Sequence, residues 1–449
     1  QSLLQLRPLE AFFWPPGYPL LVALVSLLMG QTPLAGQLVS VVMGGLVPAC
    51  TVLLARELFP QERLLGLWAG LAVALCGQLW QSSIVVMADT TGLALATFSA
   101  FAVVRYAGAR RLAWLVLASA ALSWAVLARW IYGLVAIPLA AYTLWALASF
   151  DVRRTTTHLL AAAAVMAFIL LPVLGPPLVG LVSHPAEPAA FAGNLQVYSW
   201  SPLNAFQRDF ITADGHLSYA QRNGVYYALA PANPAFFGPF LAPWALLGLW
   251  AACTTWRRST LVLVVGWAAI VYAFHAGAAW QNFRFTLAYL PPLALLVGAG
   301  LTWLWQRLRD RRVRLLVGFV AAVGFATGLV GAIRVVEGFV DRKGDDLALV
   351  NWVDEHTQPG ARVLSFGPTL TLQHYSSRLT VDLFDVSAMT LTALLAVPGP
   401  DYVLVDETNL AEQWVGRAPA ENVALLRREA GLTALGTYGA YTLFVVGAG

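Results

Sequence analysis

Apolar residues in this chain come in blocks of about twenty, enough at 1.5 Å per residue to thread a hydrocarbon core of roughly 30 Å. Ten such blocks predict membrane helices: Leu34–Leu54, Leu64–Leu79, Ile84–Val104, Leu112–Ala128, Ile131–Leu147, His158–Leu181, Phe237–Cys253, Leu261–Ala276, Phe285–Trp305 and Val313–Ile333. An eleventh, Tyr18–Met29, is shorter and follows the breaker Pro15-Pro16-Gly17, which predicts an interfacial or re-entrant helix. At Gly344 the pattern changes to short alternating runs. These predict a helix at Asp345–His356, strands at Arg362–Phe366 and Asp401–Asp406, a helix at Ala420–Glu429 and a last strand at Tyr441–Val446. The expected fold is a polytopic α-helical membrane protein, with about 10–11 membrane helices and a small C-terminal α/β soluble domain. The expected layout is an outer-loop end with an interfacial helix over 1–33, helices over 34–181, an outer loop over 182–236, helices over 237–334 and the α/β domain over 335–449.

Composition sharpens this picture. Of 449 residues, 59% are hydrophobic and 11% charged, whereas a soluble chain carries roughly 25% charged residues. Cys50, Cys76 and Cys253 lie inside apolar blocks without C-x-x-C or Cys/His spacing, so neither a disulfide framework nor a metal site is expected. Lys343 is the sole lysine, and the net charge of +4 rests on arginines scattered among short breaks, which excludes a contiguous nucleic-acid patch. No G-x-G-x-x-G and no Walker lysine occur, so no nucleotide cofactor is expected.

The arginines also set an orientation. Arg56 and Arg63, then Arg105, Arg110 and Arg111, then Arg153 and Arg154, then Arg257 and Arg258, and finally Arg307, Arg309, Arg311, Arg312 and Arg314 fill alternate breaks. The intervening short breaks hold only Arg129 and Arg284, one each. By the positive-inside rule the first set faces the cytoplasm. The N-terminal segment, the loop from Val182 to Ala235 and the C-terminal domain then face outward, on a multi-pass protein of the cytoplasmic (plasma) membrane.

That outer side gathers the unusual polar residues: Asp89, Arg129-Trp130, His275 and the string Trp280-Gln281-Asn282-Phe283-Arg284-Phe285. Each also admits a plainer role. Asp89 fits a helix N-cap, Arg129 and Arg284 could snorkel to headgroups, and His275 alone fits a structural residue. His184, Glu187, Asp209, Asp214 and His216 fit a solvated loop, and Tyr198, Trp200, Tyr226 and Tyr227 fit an interfacial belt as well as a cleft. Together, however, Arg129 and Arg284 set two permanently charged forks near one surface, and a guanidinium pairs bidentately with phosphate. An anionic lipid headgroup or a lipid-linked phosphate is the matching ligand.

Four stretches resemble the GT-C-type membrane glycosyltransferases, in particular the polyprenyl-phosphate-sugar-dependent transferases related to protein O-mannosyltransferases and aminoarabinose transferases. They are Trp14-Pro15-Pro16-Gly17-Tyr18-Pro19-Leu20, Leu53–Phe59, Asp89 and Gln281–Pro292. The resemblance implies a polyprenyl-phosphate-linked sugar as substrate, with no further cofactor. Its phosphate would be held by Arg284 first, with Arg129, Gln281 and Asn282 beside it. The acceptor would be a glycan, lipid or protein. An acidic residue of the first outer loop would serve as general base, with inversion at the anomeric carbon. In the family that carboxylate and the first transmembrane helix precede the proline-rich segment, so the chain is expected to lack them; Glu10 and Asp89 are the remaining candidates. No D-x-D or W-W-D motif occurs, which disfavours the metal-dependent oligosaccharyltransferase branch. Two other functions stay open: a non-catalytic GT-C-like subunit of a larger membrane assembly, and a transporter or flippase for lipid-linked glycans. Internal repeats and broken helices, common in transporters, are not seen in the sequence.

Overall fold

A computed structural model describes residues 14–148, 151–183, 199–384, 386–397 and 401–447. The chain divides into two compact units, one of residues 1–207 and 221–336, the other of residues 208–220 and 337–449.

The first unit is helical: α1 (Gly17–Met29), α2 (Pro33–Leu58), α3 (Arg63–Ala74), α4 (Gly77–Ile84), α5 (Asp89–Ala109), α6 (Leu112–Ala128), α7 (Ala136–Leu147) and α8 (Val152–Ser183). Helices Gly238–Thr255, Arg258–Gly277, Leu290–Arg307 and the first part of Arg311–His356 follow. Every one of the predicted apolar blocks contains helix. Among the described residues seven helices are long and apolar enough to cross a membrane, or eight if the bent pair α3–α4 is one span. This is fewer than the 10–11 expected, in part because α1 and α6 fall short in length.

Several boundaries differ from the expected ones, each for a local reason. The block Leu64–Leu79 bends by 55° between α3 and α4. There Cys76 is extended and the Gln78 N–H donates to the Ala235 carbonyl at 2.7 Å instead of continuing the helix. The block expected from Ile84 begins its helix only at Asp89, because Val85 is extended. The blocks at Ile131 and Phe285 both open with 3-10 turns, Trp130–Gly133 and Phe283–Tyr289. In the second case Pro291 and Pro292 sit in the first turn of the helix that follows, where their missing N–H groups cost nothing. The expected break at Gly344 is absent: Arg311–His356 is one helix of 46 residues. Gly338 and Gly344, the glycines near that point, cost about 1 kcal/mol each in a helix interior, too little to end one that is otherwise well formed.

The core of this unit is built from α2, α3, α5 and the two helices Gly238–Thr255 and Leu290–Arg307, around Leu65, Ala69, Leu93, Ala100, Trp267 and Leu290. The last two helices touch through Gly248 and Gly300. A Cβ on Gly248 would overlap the Leu296 carbonyl, and one on Gly300 that of Trp244. Small residues that let backbones meet replace the hydrophobic drive that lipid cannot supply.

The second unit holds two sheets. One is the hairpin β1 (Asp209–Thr212) and β2 (Gly215–Ser218); the other comprises β3 (Arg362–Ser365), β4 (Leu379–Asp382), β5 (Asp401–Val405), β6 (Leu432–Tyr438) and β7 (Tyr441–Val446). The larger sheet has the order β4-β3-β5-β7-β6, with β3 parallel to β4 and β5 and the β7 pairings antiparallel. Strand alternation divides its side chains. Leu364, Val403, Val405 and Phe444 pack on one face with Leu391 and Leu426, while Val363, Tyr402, Leu404 and Leu443 pack on the other with Leu349, Val353 and Leu372. Helices on both faces of a mixed sheet make this a small α/β unit. Across the β3–β5 pair, Arg362 holds Asp401 through two hydrogen bonds of 2.6 and 2.7 Å.

Candidate functional site

A cavity of about 660 Å³ opens within the helical unit. Its wall carries the proline-rich segment (Trp14, Pro15, Tyr18, Pro19), the connection Val86–Ala88, Arg129 to Ile131, Leu174, and the pairs Phe274-His275 and Arg284-Phe285. Two of these contributors, the proline-rich segment and the connection before α5, are tied by polar contacts through Ser40. The Tyr18 hydroxyl donates to the Gly36 carbonyl at 2.9 Å and shares a 2.9 Å bond with Ser40. Ser40 in turn accepts from the Met87 N–H at 3.2 Å, and Thr90 donates to the Ser40 carbonyl at 3.2 Å. The proline-rich turn is thereby tied to the segment that leads into α5.

Asp89 does not cap a helix, contrary to the plainer sequence reading. Ala88 flanks α5, Asp89 is its first residue, and no side-chain cap bond forms. Its carboxylate oxygen Oδ2 instead lies 3.1 Å from Arg129 Nη1 and 3.7 Å from Arg284 Nε. The side chains of Asp89 and Arg129 are only 6% and 16% exposed. Both guanidiniums also lie near the Phe285 ring, with their carbons 5.5 Å (Arg129) and 5.6 Å (Arg284) from its centre, so both draw on its π-face. Two cations and one anion leave one net positive charge at the wall of an otherwise apolar cavity. Asp89 itself is not among the lining residues.

Gln281 and Asn282 do not line the cavity either. Gln281 donates to the Gln221 carbonyl at 2.7 Å, and the Asn282 side chain accepts from the Arg284 N–H at 3.0 Å, capping the 3-10 turn that carries Arg284. They hold the loop that presents the arginine. Glu10, His184, Glu187 and Tyr198 lie outside the described residues. Asp209, Asp214 and His216 belong to the β1–β2 hairpin of the other unit. Trp200 donates to the Phe274 carbonyl at 3.0 Å, and Tyr226 meets Tyr227 edge to face at 5.1 Å.

Sequence reasoning gave too little weight to His275 and Trp130. His275 is 4% exposed and stacks with Tyr227 (5.4 Å, 27°) and with Phe285 (5.2 Å, 18°). Neither of its ring nitrogens finds a hydrogen-bond partner among the described residues, and the same holds for Trp130 Nε1. A buried polar atom without a partner costs about 1–3 kcal/mol, so these atoms mark where a polar ligand would be welcomed. Among the described residues no group of three or more His, Cys, Asp or Glu is arranged to hold a metal ion.

The apolar helices of this unit define a multi-pass membrane protein, and its cavity carries two arginines in an otherwise apolar wall. Comparison with known proteins gives that class a family setting. Residues 14–175 match the profile of the family described as dolichyl-phosphate-mannose-protein mannosyltransferase. No curated protein matches the chain. Among solved structures the chain is similar to ArnT from Cupriavidus metallidurans bound to undecaprenyl phosphate, with TM-score 0.59 and 16% identity over 97% of this chain and 88% of that one. The same protein in its apo state gives 0.58 and 16% over the same shares. The Archaeoglobus fulgidus oligosaccharyltransferase, in complex with Zn and sulfate, gives 0.51 and 12% over 96% of this chain and 64% of that one. The chain therefore has the fold of the GT-C-type membrane glycosyltransferases.

Proposed function

We propose that this protein transfers a sugar from a polyprenyl-phosphate donor to an acceptor on the outer face of the cytoplasmic membrane. The observation that carries the reading is the apolar cavity with Arg129 and Arg284 in its wall. Polyprenyl chain would fill the apolar part, and the phosphate would meet the guanidiniums, whose charge exceeds that of Asp89 by one. The acceptor hydroxyl oxygen bonds to the anomeric carbon from the face opposite the phosphate. The bond from that carbon to the phosphate oxygen breaks, and its electron pair leaves with the lipid phosphate. Fixed guanidiniums in a partly dry site stabilise the charge that gathers there. The proton of the acceptor goes to a general base. Asp89 is a poor candidate for that base, since Oδ2 is engaged by both arginines; its part is the counter-charge that lets them stand together.

The outer placement draws support from how the breaks meet. Glu57 and Arg105 pair at 2.9 Å, Arg154 donates to the Arg110 carbonyl at 3.3 Å, and Phe59 packs on Trp256 at 4.6 Å. Four of the arginine-filled breaks thus converge, while Asp89, Arg129 and Arg284 converge elsewhere in the unit. With the first group cytoplasmic, the cavity and the C-terminal α/β unit are extracytoplasmic.

A second reading, a GT-C-like subunit that binds lipid without turnover, is favoured by one observation. Among the described residues that line the cavity there is no carboxylate. Purified protein is assayed for undecaprenyl phosphate binding and for release of sugar from an undecaprenyl-phosphate donor. Arg284→Ala weakens binding by roughly 10- to 150-fold, the worth of a charged hydrogen bond at about 1.5–3 kcal/mol, while Arg105→Ala leaves it unchanged. Equal binding in both variants defeats the assignment, and binding without sugar release selects the subunit reading.

A further inference from the structure

We infer that His275, with Trp130 in the same cavity wall, is the element of the cavity that recognises the hydroxyl groups of the sugar, separately from the arginines that take the phosphate. This rests on the proposed lipid-phosphate-sugar reading and names which residues read which part of the donor. Tyr227 and Phe285 both stack on the imidazole, at 5.4 and 5.2 Å, and Phe274 meets it edge to face at 5.5 Å and 74°. The edge of the ring carries its two nitrogens. Both nitrogens on that edge lack partners among the described residues, although the residue lines the cavity.

An uncharged imidazole offers one N–H donor and one acceptor nitrogen, and an indole one donor. A hydroxyl group, at once donor and acceptor, satisfies that set; a polyprenyl chain cannot. Arginine, which only donates, serves the phosphate and cannot accept from a hydroxyl. The aromatic clamp fixes the imidazole in advance, so little ordering is required when a ligand arrives.

The test compares two probes, undecaprenyl phosphate and undecaprenyl phosphomannose, by tryptophan fluorescence titration of the purified full chain. His275→Phe keeps a flat ring in the clamp and removes both nitrogens, and thermal unfolding checks that each variant remains folded. The expected result is unchanged affinity, within about twofold, for undecaprenyl phosphate and a loss of about tenfold or more for the glycosylated lipid. His275→Gln restores part of that loss by returning a donor and an acceptor, and Trp130→Phe gives a smaller loss of the same selectivity. If His275→Phe weakens both lipids alike, or neither, the inference fails while the lipid-phosphate reading stands. If the wild-type protein binds neither lipid, the proposed function fails and takes the inference with it.

Discussion

Arg105 meets Glu57 at 2.9 Å with 47% and 26% of the two side chains exposed, whereas Arg129 meets Asp89 at 3.1 Å with 16% and 6% exposed. Both are arginine–carboxylate pairs on helices of the same unit. The first lies where water reaches it, so attraction is screened and two long side chains must be ordered to gain it. The second is largely removed from water, where a charge left alone is costly. It also carries a second cation, Arg284, at 3.7 Å. An exposed pair tolerates loss of a partner, while a buried one couples folding to the positions of all its charges.

The comparison is broken most directly by Asp89→Ala. Removing the carboxylate leaves two guanidiniums near one another without their shared counter-charge, and the expected loss of stability is about 3–5 kcal/mol. Glu57→Ala is expected to cost about 1 kcal/mol or less. Chemical unfolding of both variants in detergent, monitored by tryptophan fluorescence, measures the gap. Similar losses in the two would show that burial does not separate them.

The helices were readable because their pattern is local. Leu112–Ala128 is bounded as expected, since Arg111 and Arg129 mark its ends. The membrane character and the presence of an α/β unit were equally legible. Arg129, Asp89 and Arg284 could be grouped by topology, but the ion pairs among them could not: Asp89 looked like a cap because its sequence position suits one, and only the packing of α5 against its neighbours turns it inward. Phe274 and Phe285 lie near His275 in sequence, but Tyr227 comes from the helix Asn223–Leu229, so no short window of sequence contains the whole cluster. Strands β4 and β6 were missed because neither carries the apolar alternation of a buried strand; β6 is an edge strand with largely exposed side chains. The β1–β2 hairpin did leave a signal in Asp214-Gly215, a common turn dipeptide, within a loop whose length concealed it.

That hairpin extends the comparison to contacts between backbone and side chain in the second unit. The His216 N–H donates to the Gln413 carbonyl at 2.7 Å, Gln413 Nε2 to the Asp214 carbonyl at 2.8 Å and Arg417 Nη2 to the Thr212 carbonyl at 2.9 Å. Gly215 has φ +88°, and a Cβ there would overlap the Gln413 carbonyl. Gly215→Ala therefore loosens the hairpin from the helix Glu407–Glu412 and its C-terminal flank, at a cost of about 1–3 kcal/mol for the strained backbone. Faster proteolysis within residues 208–220 reads it. Unchanged protection would mean that the hairpin holds without this close approach.

The smallest effect expected is a change of sign. Asp209 and Asp214 flank the same turn but respond oppositely to folding. A hydrogen bond from Ser218 at 2.5 Å, helped by the Arg208 charge, holds the Asp209 carboxyl below its ordinary range, whereas burial pushes that of Asp214 up. A lowered folded-state value gives Asp209 a stabilising contribution that is present above its unfolded value and lost as pH falls through the folded one. A raised value gives Asp214 the reverse: its contribution is present below the unfolded value and lost as pH rises through the folded one. In the native hairpin the two offset each other. Ser218→Ala removes the first, so hydrogen-exchange protection of residues 208–220, corrected for intrinsic rates, should rise as pH falls through the carboxylate range. Asp214→Asn removes the second, so the same protection should fall. If both variants shift in the same direction, the two carboxyls do not have opposed environments, and the exposed hairpin behaves as one electrostatic unit after all.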